Sequence, residues 1–289
     1  MQFGNISIEI LETGTFALDG GAMFGVVPKN LWERAYHAAD AQNRIPMKAQ
    51  CLLVRGDIGG KHRVILVDTG NGDKMPAKLR DIYKMDSSEH ELSRSLQRFG
   101  VTAADVTDVV LTHLHFDHAG GATMLNAAQE LVPTFPNARY YVQKEQWQWA
   151  QNPSDKDRAS FVKQDYEPLL AHGVIELLDG AGQLFEGIDV LPLFGHTTAM
   201  QAVKISTEAG VVFFGADVFP TSAHVALPYI MGYDNFPLTT LEEKKILTAR
   251  AADEAWIVVF EHDGFRQASN IVRTDKGFAR GEAMTITSW

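Results

Sequence analysis

The stretch that decides the fold is THLHFDHAGG, residues 112–121. It contains three histidines and one aspartate within six positions: His113, His115, Asp117 and His118. The stretch follows an apolar run that we predict to be a strand, and it ends in a Gly-Gly turn. Side chains alternate along an extended chain, so His113, His115 and Asp117 point to one side. The flexible turn that follows then lets Asp117 and His118 point in different directions. This arrangement suits two adjacent cations, and imidazole together with carboxylate favours zinc, iron or manganese.

Three further potential ligands stand where other apolar runs end. His196 follows the run LPLFG, Asp217 follows VVFFGA, and His262 follows VVFE. Each residue alone is weak evidence, because a histidine at the end of a strand is more often structural or solvated. Together they indicate that several strand ends converge on one polyhistidine site at a sheet edge.

The rest of the chain alternates short apolar runs with amphipathic segments. The predicted strands span residues 6–11, 49–55, 63–67, 108–112, 139–143, 188–194, 202–206, 211–215 and 256–260. Helices are predicted over residues 88–99 and 240–252, because each segment opens on a capping box, Ser88 with Glu91 and Thr240 with Glu243. Each set of strands has an apolar face to cover, so two packed sheets with helices outside are expected.

Composition narrows the class of protein. The 289 residues have a formal net charge of −10 and a single cysteine, Cys51. One cysteine excludes a disulfide framework and a multi-cysteine zinc site. The acidic balance argues against nucleic-acid binding, and no apolar run approaches the length of a membrane span. We expect one cytoplasmic domain over residues 1–289 that acts on a small molecule, with a homodimer as an open alternative.

The ligand pattern resembles that of the metallo-β-lactamase-fold hydrolase superfamily. Its hallmark is His-x-His-x-Asp-His, followed along the chain by a separate His, then Asp, then His. The resemblance extends over residues 45–265 and includes VDTG at residues 67–70, in which Asp68 corresponds to a family aspartate that supports the site without binding metal. The implied fold class is α/β, a four-layer αββα sandwich with the metals at one edge of the two sheets.

The resemblance also implies a set of ligands for two divalent metal ions, with zinc expected and iron or manganese as alternatives. The first metal would take His113, His115 and His196. The second would take Asp117, His118 and His262, and Asp217 would bridge the two. A hydroxide that also bridges the metals would attack the substrate, with Asp117 as general acid and base.

Within the superfamily, the chain is most similar to the lactonase-like branch. That branch includes the quorum-quenching N-acyl-homoserine lactonases and related organophosphate hydrolases. True zinc β-lactamases commonly use a cysteine ligand or lack the bridging aspartate, whereas here Cys51 precedes the motifs and Asp217 is present. Hydrolysis of a lactone or another carboxylic ester is therefore expected. The alternatives are a phosphoester or phosphotriester hydrolase and a metal-binding scaffold without catalytic activity.

The substrate contacts are less well defined by the sequence. Lactonases of this branch often place a tyrosine three residues after the bridging aspartate, and this chain has Pro220 there. Tyr229, Tyr233 and His224 are the alternatives for its role, so the expected catalytic residues are Asp117, Asp217, Tyr229 and His224. The glycine-rich apolar segment at residues 21–28 is expected to cap the metals and to contribute to an acyl pocket.

Overall fold

The chain forms two large β-sheets that pack face to face. This computed structural model describes residues 2–3, 6–88 and 91–286. In that part of the chain the first sheet has seven strands in the order β1-β2-β3-β4-β5-β8-β9, and the second has seven in the order β10 to β16. The strands are β1 (Gln2–Phe3), β2 (Ile6–Asp19), β3 (Arg44–Ile58), β4 (Lys61–Val67), β5 (Asp108–Val110), β6 (Thr123–Leu125), β7 (Leu131–Pro133), β8 (Arg139–Gln143), β9 (Ile175–Leu178), β10 (Gly182–Phe185), β11 (Ile188–Leu193), β12 (Met200–Thr207), β13 (Gly210–Phe214), β14 (Ile257–Val259), β15 (Ala268–Thr274) and β16 (Gly277–Met284).

Helices pack on the sheets and occupy several of the connections between strands. The α-helices are α1 (Gly20–Phe24), α2 (Lys29–Ala35), α3 (Ala77–Ile82), α4 (Leu92–Arg98), α5 (Phe116–Ala119), α6 (Lys144–Gln151), α7 (Glu167–Ala171) and α8 (Pro237–Asp253). Short 3₁₀ turns span Arg158–Ser160, Lys163–Asp165, Ala216–Val218 and Ser222–Val225. Among the described residues no helix is long and apolar enough to cross a membrane.

Strand β3 shows how the sequence builds the layers. Its side chains alternate, so Leu52 and Val54 join the core between the two sheets, whereas Cys51 and Leu53 face the helical layer. All four side chains are at most 1% exposed. A strand that is covered on both faces in this way belongs to an inner layer, which explains why this run is apolar at every position.

The helical ends differ from the predicted ones. Helix α8 begins at Pro237 rather than at Thr240, because Phe236 is its N-cap residue and Thr240 is buried inside the first turns. Helix α4 begins at Leu92, and its N-cap residue Glu91 makes no side-chain capping bond. The predicted start of that helix includes residues 89 and 90, which lie outside the described residues.

The strands were predicted more closely than the helices. Strand β8 has the predicted bounds, and β2 and β3 are longer than predicted, at 14 and 15 residues. Their extra length forms a hairpin that carries α1 and α2 at its tip and packs on a third core around Phe24 and Trp32. The hairpin of β15 and β16 was not predicted. Its strands are polar and only partly buried, so they lack the apolar alternation that signals a strand.

The parallel pairs of the sheets set the position of the candidate site. Strands β4 and β5 are parallel in the first sheet, and β13 and β14 are parallel in the second. Their carboxyl ends bring the following loops to one edge of the sandwich. The backbone N–H of Gln201 donates to the carbonyl of Thr112 at 2.8 Å, which joins the two sheets beside the first ligand loop.

Candidate metal centre

The seven predicted ligands lie together at this edge of the sandwich. His113 and His115 lie in the loop after β5, and Asp117 and His118 lie on the short helix α5. The other three follow strands of the second sheet: His196 follows β11, Asp217 follows β13 and His262 follows β14. All seven are buried, with exposed fractions of 7% or less. The convergence that the sequence predicted is therefore present in the fold.

One group of donor atoms comes from both sheets. Nε2 of His113 lies 3.0 Å from Nδ1 of His115, and Nε2 of His196 lies 3.2 Å from the same Nδ1 atom. Oδ2 of Asp217 lies 3.0 Å from Nε2 of His196. These four residues form a set whose potential ligand atoms all lie within 4.8 Å of one another.

A second group lies beside the first. Nε2 of His118 and Nε2 of His262 are 3.2 Å apart. Asp117 approaches both, at 3.9 Å from His118 and 3.6 Å from His262. The three residues again form a set that could hold one metal ion.

Asp217 lies between the two groups. Its Oδ2 atom is 3.0 Å from Nε2 of His196, and its Oδ1 atom is 3.2 Å from Nε2 of His262. Oδ1 is buried and accepts no hydrogen bond from the described residues. Oδ2 also lies 3.6 Å from Nε2 of His118, so this one carboxylate faces both groups, which is the position expected of a bridging ligand.

The donor set fits divalent transition metals. Five imidazoles and two carboxylates converge, and imidazole suits zinc, iron and copper, whereas magnesium and calcium prefer oxygen ligands. Ligands at about 2.0–2.1 Å around a tetrahedral cation are about 3.3 Å apart, close to the nitrogen–nitrogen separations of 3.0 and 3.2 Å here. The buried Asp217 Oδ1 supplies an acceptor that the protein itself leaves unused.

The outward ring nitrogens of four histidines are held by neighbouring groups. Thr112 Oγ1 contacts Nδ1 of His113 at 3.0 Å, and Asp68 Oδ2 contacts Nδ1 of His118 at 3.0 Å. The carbonyl of Lys48 contacts Nδ1 of His262 at 3.0 Å. Such contacts fix the tautomer and the ring orientation, so each Nε2 faces the centre of its group. The sequence singled out only Asp68 among these partners.

The fourth partner is Asp234, which sequence reasoning missed. Its Oδ1 lies 2.9 Å from Nδ1 of His196, and the carboxylate is 3% exposed. Asp234 lies in a loop with no motif, 38 residues after its partner. No spacing rule joins the two residues, so only the fold identifies the pair.

Glu261 was also missed, although it precedes a predicted ligand. It is 1% exposed, and its Oε1 lies 3.1 Å from Nδ1 of His118, the atom that Asp68 also contacts. Burial raises the pKa of the Glu261 carboxyl, and the charge of Asp68 acts in the same direction. His118 therefore faces the metal ligands with Nε2 and two buried carboxyl groups with Nδ1.

The histidines differ in their affinity for protons. Burial lowers the pKa of His113 and His115 well below the ordinary value, and neighbouring histidines lower it further. Burial acts in the same direction on His262, but the negative charge of Asp217 outweighs burial there, and the pKa of His262 rises to about 9. The first two rings are thus neutral donors, whereas a cation that binds His262 must displace a proton.

A cavity of about 260 Å³ opens over the ligands. Its walls include the apolar side chains of Leu18, Met23, Met47, Phe116 and Met231. Its polar lining beside the ligands includes Tyr83, Tyr233 and Lys156. Tyr83 stacks on Phe116 with ring centroids 5.1 Å apart, and burial together with the charge of Asp117 raises the pKa of its hydroxyl. Sequence reasoning missed Tyr83 and Lys156, because neither lies near a motif.

Two of the expected catalytic residues lie elsewhere. His224 is 1% exposed, and its ring nitrogens contact Thr221 Oγ1 at 2.7 Å and the carbonyl of Met23 at 2.8 Å. Its ring stacks on Phe24, which Tyr229 meets edge-on. Neither residue is among the described residues that line the cavity. Of the three alternatives for the missing tyrosine, the structure brings only Tyr233 to the cavity.

The glycine-rich segment at residues 21–28 was expected to cap the metals. The structure forms most of helix α1 from it, with the carboxylate of Asp19 accepting the N–H of Ala22 at 2.8 Å. Met23 reaches the metal cavity, whereas Val26 is 91% exposed. The segment therefore contributes one apolar side chain to the wall.

Comparisons with known proteins agree with this geometry. The family model of the metallo-beta-lactamase superfamily matches residues 45–262. An N-acyl homoserine lactonase from Bacillus cereus is 27% identical over 235 residues, which cover 76% of this chain and 83% of that protein. These likenesses confirm the predicted resemblance.

Solved structures give the same answer for the fold. The crystal structure of a probable metal-dependent hydrolase from Staphylococcus aureus matches with a TM-score of 0.85 and 25% identity, over 99% of this chain and 100% of that chain. A dizinc quorum-quenching lactonase, solved with its product N-hexanoyl-L-homoserine, matches with a TM-score of 0.79 and 20% identity, over 99% and 97% of the two chains. The predicted α/β sandwich fold is confirmed.

Proposed function

Because the chain belongs to the metallo-beta-lactamase superfamily, we propose that this metal-dependent hydrolase opens a lactone or cleaves another carboxylic ester. The observation that carries the proposal is the position of Asp217, whose carboxylate faces two groups of ligands beneath a small cavity with both apolar and polar walls. The Bacillus cereus relative, matched over 76% of this chain, is an N-acyl homoserine lactonase, which supports a lactone as the substrate.

The proposed site holds two divalent cations. His113, His115 and His196 would hold one, and the second set would hold the other. The second set is Asp117, His118 and His262, and Asp217 would contribute to both sites. When bound, two such cations supply an activated water at neutral pH and a Lewis acid for the scissile carbonyl.

Asp117 is the residue that we assign to proton transfer. Its carboxylate lines the cavity, and its Oδ2 lies 3.6 Å from Nε2 of His262. A carboxylate at this place can accept a proton from the attacking water and return it to the alkoxide of the leaving group. The return of that proton completes ring opening, because the alkoxide becomes a neutral hydroxyl.

Tyr83 and Tyr233 are the groups that we assign to substrate orientation. Both line the cavity, and the charge of Asp117 acts on both hydroxyls. A phenolic O–H that points into a water-poor cavity can donate to the carbonyl oxygen as negative charge develops there. His224 and Tyr229 instead pack on Phe24 and support the cavity wall at Met23.

A substrate panel with metal analysis tests the proposal. Protein loaded with zinc, iron or manganese is assayed on γ-butyrolactone, N-butanoyl- and N-octanoyl-homoserine lactones, phenyl acetate and a dialkyl aryl phosphate. We expect the highest kcat/KM on a lactone, with two metal equivalents per chain. Folded, fully loaded protein that hydrolyses the phosphotriester but no lactone or ester would overturn the proposal in favour of phosphoryl chemistry. Folded, loaded protein without turnover of any substrate would favour a metal-binding scaffold.

A further inference from the structure

One cationic side chain, that of the exposed residue Lys156, lies at the cavity wall. Among the described residues that line the cavity, Lys156 is the only lysine or arginine. It lies in the loop between α6 and the 3₁₀ turn Arg158–Ser160, and its Nζ donates to the carbonyl of Tyr233 at 2.7 Å. An ammonium group has three N–H donors. Two of them therefore remain for a ligand or for water in the cavity.

The nearest carboxylates are engaged by other groups. Asp157 is 4% exposed and accepts from Trp149 Nε1 at 2.8 Å, Asn235 Nδ2 at 2.6 Å and Ser154 Oγ at 2.7 Å. Asp234 faces His196. Their charges act on Lys156 through space. Within the described ranges, however, Lys156 forms no ion pair with any carboxylate, so its charge is not neutralised by direct contact.

The charge of Lys156 reaches the metal ligands. Its positive charge contributes to the lowered pKa of His115, whose Nδ1 atom lies close to Nε2 of both His113 and His196. Lys156 lines the same cavity as the ligands His115 and His196. An anion bound by the ammonium would therefore lie in the cavity that the metal ligands also line.

The size of the cavity limits the rest of the ligand. The cavity has a volume of about 260 Å³. Sites that bind drug-sized ligands usually have volumes of about 300–1,000 Å³, so this cavity is smaller. The apolar side chains of Met23, Met47 and Met231 leave room for a compact carbon skeleton, and the carboxylates of the lining are those of Asp117, Asp157 and Asp217. The chain as a whole carries −10, which opposes the approach of anions, so Lys156 and the bound divalent cations would be the positive charges that attract an anion to this cavity.

We propose that Lys156 binds a carboxylate that the substrate itself carries, so that the substrates are compact lactones or esters with a free carboxylate beside the scissile bond. This inference rests on the proposed function and narrows its substrate class. A carboxylate is favoured over a neutral carbonyl, because hydrogen bonds between two ionised groups are about twice as strong as neutral ones. Lys156 is thus a specificity-determining residue.

A matched pair of lactones tests the inference. The two substrates are 5-oxotetrahydrofuran-2-carboxylate and its carboxamide, which differ in charge but hardly in size. We expect wild-type protein to prefer the carboxylate by about tenfold in kcat/KM, the effect of one charged hydrogen bond. Lys156→Gln should remove the preference, because it keeps an N–H donor for the Tyr233 carbonyl but carries no charge. Lys156→Arg should retain part of it.

The control is Lys163→Met, because Lys163 is an exposed lysine paired with Glu167 at 3.0 Å on the surface. It should leave the preference unchanged. A wild-type enzyme that favours the carboxamide, or a preference that persists in Lys156→Gln, would overturn the inference and leave the proposed function in place.

A binding measurement separates the two proposals. The ring-opened product of the first lactone is 2-hydroxyglutarate, and its affinity for metal-loaded protein is measured by isothermal titration calorimetry. We expect the Kd to rise about tenfold in Lys156→Gln and to stay unchanged in Lys163→Met. If no lactone is hydrolysed but this difference appears, the proposed function fails and the anion site stands. Equal affinities in all three proteins would contradict the anion site.

Discussion

Oδ1 of Asp234 lies 2.9 Å from Nδ1 of His196, and both side chains are at most 3% exposed. The backbone strengthens the link, because the N–H of Asn235 donates to the carbonyl of His196 at 2.9 Å. The preceding residues, Gly232 and Tyr233, line the cavity. One loop therefore orients a metal ligand and forms a wall of the substrate site, so changes in that loop should affect metal affinity and substrate selection together.

Replacement of Asp234 tests its effect on the metal ligand. We expect Asp234→Ala to weaken metal binding by about 10- to 100-fold, because His196 loses the partner that fixes its ring and raises its basicity. The affinity is measured by competition with a chromophoric chelator. Asp253→Ala is the control, because Asp253 pairs with Arg273 at the surface. Equal affinities of the two variants would contradict the assigned role.

Replacement of Asp217 tests the shared ligand. We expect Asp217→Ala to lower the metal content below that of the wild type and to reduce kcat by at least about 100-fold, because both groups lose a donor and the cations lose their common anion. Metal content is measured by atomic emission, and activity is measured on the best lactone of the panel. Wild-type stoichiometry with full activity would exclude a bridging role.

The sequence predicted those parts of the site that depend on local patterns. His113 to His118 lie in one short motif, and each of the other ligands lies three residues after the end of a strand. Asp117 is the exception, because it lies on α5 with the second group and not beside His113 and His115 as alternation predicted. Asp234, Tyr83 and Lys156 come from loops whose residues are brought to the site by packing between distant segments, and no periodicity marks them. The start of α8 shows the same limit, since the N–H of Phe236 donates to the carbonyl of Gly195 in the loop of a ligand.

Metal binding should depend on pH in a defined direction. The raised pKa of His262, about 9, means that the metal-free site holds a proton there near neutral pH. The pKa values of His118 and His196 are also raised, mainly by neighbouring carboxylates, so we expect the apparent affinity to increase with pH by about tenfold per unit for each proton that the cation displaces. Calorimetry in buffers with different ionisation enthalpies measures the protons released at pH 7. His62→Ala, at an exposed position, is the control, and release of no proton would contradict the prediction.

The loop after β4 should tolerate no side chain at Gly72, where its backbone packs against Gly120 at the end of the metal motif. A Cβ atom there would lie 2.1 Å from the carbonyl oxygen of Gly120, and the φ of Gly72 is +62°. We expect Gly72→Ala to lower the free energy of unfolding by more than about 3 kcal/mol and to weaken metal binding, because α5 must move. Gly180→Ala is the matched control: its φ is +88° but nothing lies within 4 Å, so only the backbone cost of about 1 kcal/mol should remain. Urea denaturation measures the free energy of unfolding of both variants. An equal decrease in the two would show that the close contact at residue 72 is relieved at no cost.

The tyrosines allow substrate orientation to be separated from support of the cavity wall. Tyr83→Phe and Tyr233→Phe keep the rings and remove the hydroxyls, so the stacking of Tyr83 on Phe116 is preserved. If either hydroxyl donates to the developing oxyanion, its removal should reduce kcat by about 10- to 1,000-fold and leave metal content unchanged. Tyr229→Phe is the internal control, because this ring meets Phe24 edge-on and does not line the cavity. A loss of kcat in Tyr229→Phe, with Tyr83→Phe and Tyr233→Phe both at wild-type rates, would instead place the substrate on the Tyr229 side of α1.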